Sequence, residues 1–363
     1  MRILHIIQKK QRRGVEMFAC QLSNHLKEAG HEVRVLALEP GDDAMPYNIA
    51  VDVLAVQLKN KWFDYRGWKN LAGIVDAYRP DVIQANAADT LKYAVFSKLL
   101  HRWKQPVVYR NASVMSRYAT NFVSKSFIRF LLNRVDHIAS VSAASRQDII
   151  TSFGIRSDKI TQIPVGIEIA RTQSVPAMEK GVHLVHVGGF TFEKNHMGLL
   201  SIFGKVLDQL PDVHLWLVGD GPLRSKVEEE VSSRGFDKNI HFTGSVKNPL
   251  DYIASANALV LPSIIEGLPA VILEAQACST PVIAYAVGGI PEVLTEDTGW
   301  LVEKGDEDAF ARHIVQIVKG EKNDKEKRVD NAKELAHSTF DNRIIAKRFL
   351  QLYGYLTGAD VKN

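Results

Sequence analysis

Apolar positions along this chain keep two alternating rhythms. Short β-rich runs, residues 3–7 first among them, give way to longer stretches in which apolar residues return every three or four places, as Phe18, Leu22, Leu26 and Ala29 do. The first rhythm suits strands covered on both faces, the second helices with one buried stripe. The pattern predicts strands at 3–7, 32–38, 51–56, 81–84, 106–110 and 136–141, with helices at 15–29, 66–78, 89–102, 123–134 and 143–153 between them. Gly30 closes the first helix as a left-handed cap. A second series follows the polar, proline-containing run 171–180, which reads as a linker. It has strands at 182–187, 213–218, 240–242, 258–261 and 281–285, and helices at 195–210, 222–234, 248–255, 270–278 and 307–318. Residues 321–331 form a charge run that reads as a solvated helical face. Residues 341–355 form an amphipathic segment with Ile345, Phe349, Leu352 and Tyr353 on one side, expected to pack back on the first domain.

Strand–helix alternation with short connections means parallel sheets wrapped on both faces. The expected fold class is α/β, with two Rossmann-like, doubly wound domains facing a cleft. The expected boundaries are 1–166, 167–340 and a C-terminal helix at 341–363. At 363 residues, two cores are the natural division. Ligands of such sheets collect at the carboxyl ends of the strands, where Gly14, Gly188 and Glu266 fall.

Composition changes this picture little, but charge does. The net charge of +4 hides 24 Lys/Arg against 14 Asp/Glu in residues 1–166, and 21 against 27 in residues 167–363. A basic first half meets something anionic: nucleic acid, a membrane face or a phosphorylated acceptor. No nucleic-acid module accompanies the excess, so nucleic acid is not expected as a partner. The start of the chain lacks a signal peptide's apolar length, and no apolar run reaches the roughly 18 residues of a membrane span. Cys20 and Cys278, both in apolar helical contexts, fit a reducing compartment. The expected location is cytoplasmic.

The densest chemistry lies in Leu261-Pro-Ser-Ile-Ile-Glu266-Gly-Leu-Pro-Ala-Val-Ile-Leu-Glu274. Pro269 suits a helix start, which puts Glu266 in the preceding loop and Glu274 inside the helix. Between them, free amides gather roughly half a positive charge, a natural seat for phosphate. A carboxylate on either side accepts hydroxyls, so the run fits a sugar joined to a nucleoside through a diphosphate. Glu274 falls in an apolar run and should be buried with a partner. Gly188 and Gly189 after a strand let backbone approach a ligand, and Lys194 reaches a phosphate as a point charge. Gly14 has the same logic in the first domain. Gly219-Asp-Gly221-Pro-Leu-Arg224 imitates a dinucleotide fingerprint, but Arg224 replaces the third glycine, so a tight strand-to-helix turn is preferred to a dehydrogenase site.

Glu266-x7-Glu274, Pro281-Val-Ile-Ala, Val287-Gly-Gly-Ile-Pro-Glu292, the Gly219 turn and the Gly188…Lys194 segment together resemble the retaining glycosyltransferases of family 4, which adopt the two-domain GT-B fold. His31-Glu-Val33 and Ile163-Pro-Val-Gly-Ile extend the resemblance over nearly the whole chain. It implies a nucleotide-sugar donor in the second domain, a glycan or lipid-linked acceptor on the first, and retention of configuration without a metal or other cofactor. It gives Glu266 and Lys194 the catalytic roles, Glu266 holding sugar hydroxyls and Lys194 the diphosphate, with Glu274 on the ribose. Gly14, Gly188, Gly189, Thr243, Gly244, Ser245, Gly267, Leu268 and Pro269 complete the donor-binding set.

The chain also departs from the family. Gly189 stands where an arginine is usual, and the strand ends at Asn86, Arg110 and Asn111 carry no histidine, making these three the acceptor-side candidates. The implied activity is a hexosyl-type transfer in polysaccharide or lipopolysaccharide assembly. The competing readings are a sugar-nucleotide-binding protein without turnover and an epimerase of the same fold; a phosphorylase lacks its pyridoxal-phosphate lysine motif. The basic, aromatic stretch 117–134 reads either as an ordinary domain helix or as a surface that docks on the cytoplasmic face of the inner membrane.

Overall fold

The structure, a computed structural model, describes residues 1–41, 45, 49–54, 63–168, 172–175, 178, 180–320 and 322–359. It divides into two units, Met1–Gly166 with Asn342–Asn363, and Ile167–Asp341.

The first unit runs β1 (Arg2–Lys9), α1 (Gly14–Glu28), β2 (Glu32–Glu39), β3 (Val51–Val53), α2 (Tyr65–Tyr78), β4 (Val82–Ala85), α3 (Ala88–His101), β5 (Val107–Asn111), α4 (Phe122–Arg134), β6 (His137–Ser140), α5 (Ala143–Phe153) and β7 (Ile160–Gln162). Its seven strands pair in the order β3-β2-β1-β4-β5-β6-β7, every pair parallel. The order reverses between β1 and β4, the switch point at which such sheets take ligands. Continuous apolar runs rather than alternation mark these strands because both faces are covered: Ile3, Leu4, Ile6 and Ile7 of β1 are all fully buried.

The second unit runs β8 (Val182–Val187), α6 (His196–Leu207), β9 (Val213–Val218), α7 (Arg224–Ser233), β10 (Ile240–Gly244), α8 (Pro249–Ser255), β11 (Ala258–Leu261), α9 (Ala270–Ala277), β12 (Val282–Tyr285), β13 (Trp300–Val302), α10 (Glu307–Lys319) and α11 (Lys322–Thr339). Its six strands, again parallel, follow β10-β9-β8-β11-β12-β13, with the switch between β8 and β11.

Three differences from the sequence expectation have physical reasons. β7 and β13 were not expected, because three-residue edge strands are too short to show a period. The charge run is the first half of an 18-residue helix. Ala332 and Ala336 bury its second half, and α11 packs on α9. The described part of the 171–180 run is not a linker. Gln173 N–H donates to Asp251 Oδ1 at 2.8 Å and Val175 N–H to Ser255 Oγ at 3.0 Å, tying it to α8; Arg171, Pro176, Ala177 and Glu179 lie outside the described residues, as do Ala55 and Val56 of the expected third strand.

The last helix, α12 (Asn342–Thr357), belongs to the first unit. Ile345, Phe349 and Tyr353 are fully buried, and the Phe349 ring lies 6.0 Å from that of Phe18 on α1. Tyr353 hydroxyl donates to Gln84 Oε1 at 2.6 Å and lies 3.3 Å from His5 Nε2, whose Nδ1 meets Ser23 Oγ at 2.9 Å. Burial lowers His5 to a pKa of about 4, so the network is neutral in ordinary buffers. Tyr353→Phe leaves the Gln84 acceptor buried without a donor. The expected loss is about 1–3 kcal/mol of stability by urea denaturation, with no loss of nucleotide binding by the second unit.

Candidate functional site

At the switch point of the second sheet, the loops after β8 and β11 meet. Lys194 Nζ, from the first loop, lies 2.6 Å from Glu266 Oε1 of the second, with side chains 20% and 12% exposed. Two further bonds lace the loops together: Ile264 N–H donates to Glu193 O at 2.8 Å, and Asn195 Nδ2 to Pro262 O at 3.1 Å. Asn195 adopts φ 54° and caps α6 through its side chain. The same residue thus ends the Lys194 turn, starts a helix and holds the Glu266 loop.

The glycines here answer to backbone contact. A Cβ on Gly288, at φ +56°, would fall 1.9 Å from Glu266 O, and Gly289 N–H donates to Gly267 O at 2.7 Å. The turn after β12 is therefore a brace under the Glu266 loop. A Cβ on Gly219 would lie 2.1 Å from Gly188 O, and one on Gly221 2.7 Å from Phe190 N. The fingerprint-like turn is glycine-rich because it presses on the neighbouring loop, as the preference for a tight turn anticipates. Gly188 itself has Lys194 Cε 3.1 Å from its Cβ position, so the lysine stem lies across it.

Helix α9 starts at Ala270 behind Pro269, and no side chain caps it. Gly267, Leu268 and Pro269 are buried, leaving Glu266 and Ala270 partly exposed at its front, a narrower opening than the sequence suggests. Glu274 is half-buried and its carboxyl has no hydrogen-bond or ion-pair partner among the described residues; the expected partner is not there. Its apolar surroundings raise the carboxyl pKa to about 7. Thr243 Oγ1 donates to Gly244 O at 2.9 Å, Gly244 O accepts from Gly219 N–H at 3.0 Å, and Ser245 beside them is exposed.

Sequence reasoning missed a buried aromatic group behind Lys194. His196 stacks on Phe190 with centroids 4.2 Å apart and meets His186 edge-on at 4.8 Å. His186 Nδ1 lies 2.9 Å from Val260 O, while His186 Nε2, both His196 nitrogens and Ser263 Oγ are buried without partners. Burial lowers both histidines, His196 to about 4, so neither competes with Lys194 as a cation. His186 and His196 flank the Gly188–Lys194 segment, on a strand and at a helix start, but belong to no motif themselves, so only the packing reveals them.

The acceptor-side candidates lie in the first unit. Asn86 is fully buried: its Nδ2 donates to Ile6 O at 3.2 Å and its Oδ1 accepts from Gln84 at 2.8 Å. Asn111 is also fully buried, within 3.5 Å of Ser145 O. Arg110 is 3% exposed. Gly14 is exposed, with nothing within 4 Å of its Cβ position.

A cation–carboxylate pair and an uncapped helix end at a Rossmann switch point make a site suited to a phosphorylated, hydroxyl-bearing ligand. Comparison with known proteins specifies the family. Residues 170–335 match the family profile "Glycosyl transferases group 1" and residues 12–171 match "Glycosyltransferase Family 4". The chain belongs to the family 4 glycosyltransferases. It is 27% identical over 239 residues, 63% of this chain and 62% of the relative, to N-acetyl-alpha-D-glucosaminyl L-malate synthase of Bacillus anthracis. It is 22% identical over 317 residues, 80% of each chain, to a GDP-mannose-dependent alpha-(1-6)-phosphatidylinositol dimannoside mannosyltransferase of Mycobacterium tuberculosis. The fold matches Anabaena HepE, solved with UDP-glucose, at a TM-score of 0.85 and 20% identity over 98% of this chain and 100% of that one. The chain has the two-Rossmann architecture of GT-B glycosyltransferase structures. The matches cover about half to three fifths of the length of the first curated relatives.

The Glu274 carboxyl gives a test that needs no ligand. Its folded pKa, about 7, stands above the ordinary 4.5. The stability it contributes is therefore full below about pH 4.5 and lost as pH rises through 7. Glu274→Gln should remove that part of the slope in urea-denaturation midpoints across this range; an unchanged slope would refute the enclosure of the carboxyl.

Proposed function

We propose that the protein is a retaining, metal-independent glycosyltransferase that moves a hexosyl group from a nucleotide-sugar donor to a glycan or lipid-linked saccharide. The single observation carrying this reading is the Lys194–Glu266 pair beside the α9 N-terminus. In the reaction the anomeric carbon–oxygen bond to the diphosphate breaks, the leaving diphosphate keeps the electron pair, and the acceptor hydroxyl oxygen bonds the anomeric carbon on the same face, passing its proton to the departing diphosphate oxygen. Lys194 and the helix amides meet the charge that develops on the diphosphate, an electrostatic task for preorganised donors. Glu266, released by Lys194, accepts hydroxyls of the sugar, and Glu274 in its ionised form accepts those of the ribose. With a lysine and a helix end on the diphosphate, the chemistry needs no metal.

By their names one relative makes an N-acetylglucosaminyl malate and another is a phosphatidylinositol dimannoside mannosyltransferase, which supports a small or lipid-linked acceptor. The setting we propose is polysaccharide or lipopolysaccharide assembly at the cytoplasmic face of the inner membrane. Among the described residues no helix is long and apolar enough to cross a membrane, so attachment would be peripheral, through the start of α4. Phe122 is 83% and Val123 73% exposed there, beside the exposed Lys125 and Arg129.

A second reading, a sugar-nucleotide-binding protein without turnover, is favoured by the burial of Asn86 and Asn111 where relatives use a histidine. Screening UDP-, GDP- and dTDP-sugars by thermal shift, then assaying donor hydrolysis and transfer, separates the two; stabilisation without turnover selects the second. Under the first reading, Glu266→Gln should lower turnover by about tenfold or more, a larger effect than on nucleotide affinity, as loss of a charge-assisted contact implies. Glu274→Gln should weaken nucleotide affinity instead. Unchanged turnover in Glu266→Gln would remove its role.

The membrane arm is checked by sedimentation with phosphatidylglycerol vesicles at low salt. Phe122→Asp combined with Val123→Asp should cut vesicle binding by about tenfold or more, the scale of losing a buried phenyl group. Wild-type protein that stays in the supernatant ends this part of the reading.

A further inference from the structure

The first unit holds a cation for which no described residue of the chain supplies an acceptor. Arg110 is the penultimate residue of β5, at the carboxyl edge of the sheet, and only 3% exposed. Its Nε and Nη1 are enclosed with no hydrogen-bond partner, and it makes no ion pair among the described residues. The guanidinium carbon sits 4.0 Å from the centroid of the Phe18 ring, which gives the cation a face to rest on but no acceptor. A guanidinium offers five N–H donors and cannot shed its charge in ordinary buffers. Leaving it buried and unpaired is costly.

Each neighbour that could serve is otherwise engaged. Tyr353 hydroxyl donates to Gln84, and His5 lies between Ser23 and Tyr353. Glu16, buried in the first turn of α1, accepts from Gln11 Nε2 at 3.2 Å, and its burial raises its pKa. Its charge is felt by Arg110, yet no salt bridge joins the two among the described residues. The helix that carries Phe18, α1, begins behind Arg13 with no side-chain cap. Gly14 is exposed there and opens on empty space. Lys9 ends β1, and the loop before Gly14 carries Lys10 and Arg13 at the switch point of the sheet. The enclosed fork of donors thus lies, through Phe18, against a helix whose front is uncapped and follows a basic stretch.

We propose that the acceptor bound by this unit carries a carboxylate or phosphate group, which docks on Arg110 and the N-terminus of α1. The proposal rests on the glycosyltransferase reading for the word acceptor, but the anion site stands or falls by itself. A planar carboxylate or a phosphate oxygen pair matches the guanidinium fork bidentately, and the helix front adds aligned amides. This gives the start of α1 to the acceptor, where the family resemblance had placed Gly14 against the donor diphosphate. It also gives a physical reason for keeping an arginine where an apolar residue would make a more stable apo-protein.

The test is calorimetric titration of the full chain, in Tris chloride, with inorganic phosphate and with malonate in separate runs, no donor being present. We expect saturable binding of at least one anion, weakened about tenfold or more in Arg110→Met, with the unliganded Arg110→Met protein at least as heat-stable as wild type. Tighter phosphate binding marks the acceptor as a phosphate ester, tighter malonate binding as a carboxylic acid; either supports the site. Anions that bind both proteins equally, or neither, overturn it. If Arg110→Met loses UDP affinity, the anion is the donor's and the proposal fails. Should that variant not fold, Arg13→Ala, altered only at an exposed side chain, is expected to weaken the anion several-fold, and unchanged affinity overturns the proposal. Failure here leaves the donor reading intact, since UDP-sugar binding by the second unit is measured separately.

Discussion

Backbone pressed against backbone at the carboxyl edge of the second sheet is the constraint on which the candidate site depends. Gly288 lies where any side chain would strike Glu266 O, and Gly219 where one would strike Gly188 O. These contacts fix the two loops that carry Lys194 and Glu266, so a flexible lysine and a loop glutamate meet at 2.6 Å. Precision at a site comes from locking the supporting shell, and here that shell is main chain. Behind it, α11 packs on α9, so the long charged helix that looked merely solvated supports the helix bearing Glu274.

Much of the fold was legible because parallel strands buried on both faces leave an unmistakable apolar signature, and helices between them leave another. What escaped was set by geometry rather than by period. Trp300–Val302 and Ile160–Gln162 are edge strands of three residues, too short for any rhythm. The second half of α11 hides because its buried residues are alanines, Ala332 and Ala336, which carry little hydrophobic signal. The run at 171–180 has linker composition, yet Asp251 and Ser255, far along the chain, take its amides; no local reading contains those partners.

The candidate site divides in the same way. Glu266 and Lys194 were found from a motif and are neighbours in the fold. The glycine turns were noticed, but sequence cannot distinguish a glycine that admits a ligand from one that admits another loop. At Gly219, Gly221 and Gly288 a neighbouring loop fills the space, whereas at Gly14 it is open. His186 and His196 carried no pattern at all, and their interest lies only in being neutral, enclosed and adjacent to the lysine. Asn86 and Asn111 were chosen for their place at strand ends, but their amides bond the chain's own backbone.

The ion pair itself restricts what can occupy the site. Lys194 and Glu266 are both mostly enclosed, and removing one partner from such a pair strands the other charge. A ligand that draws the lysine away with an anion must therefore offer the carboxylate something in return. Inorganic phosphate supplies only the anion, and a neutral sugar only the hydroxyls; each leaves one charge worse off than in the empty site. A sugar linked to a diphosphate supplies both within one molecule, so the exchange runs without an uncompensated charge at any stage. Under the proposed donor role the pair is a two-part requirement, favouring the joined molecule over either fragment by the desolvation cost of the half-made exchange.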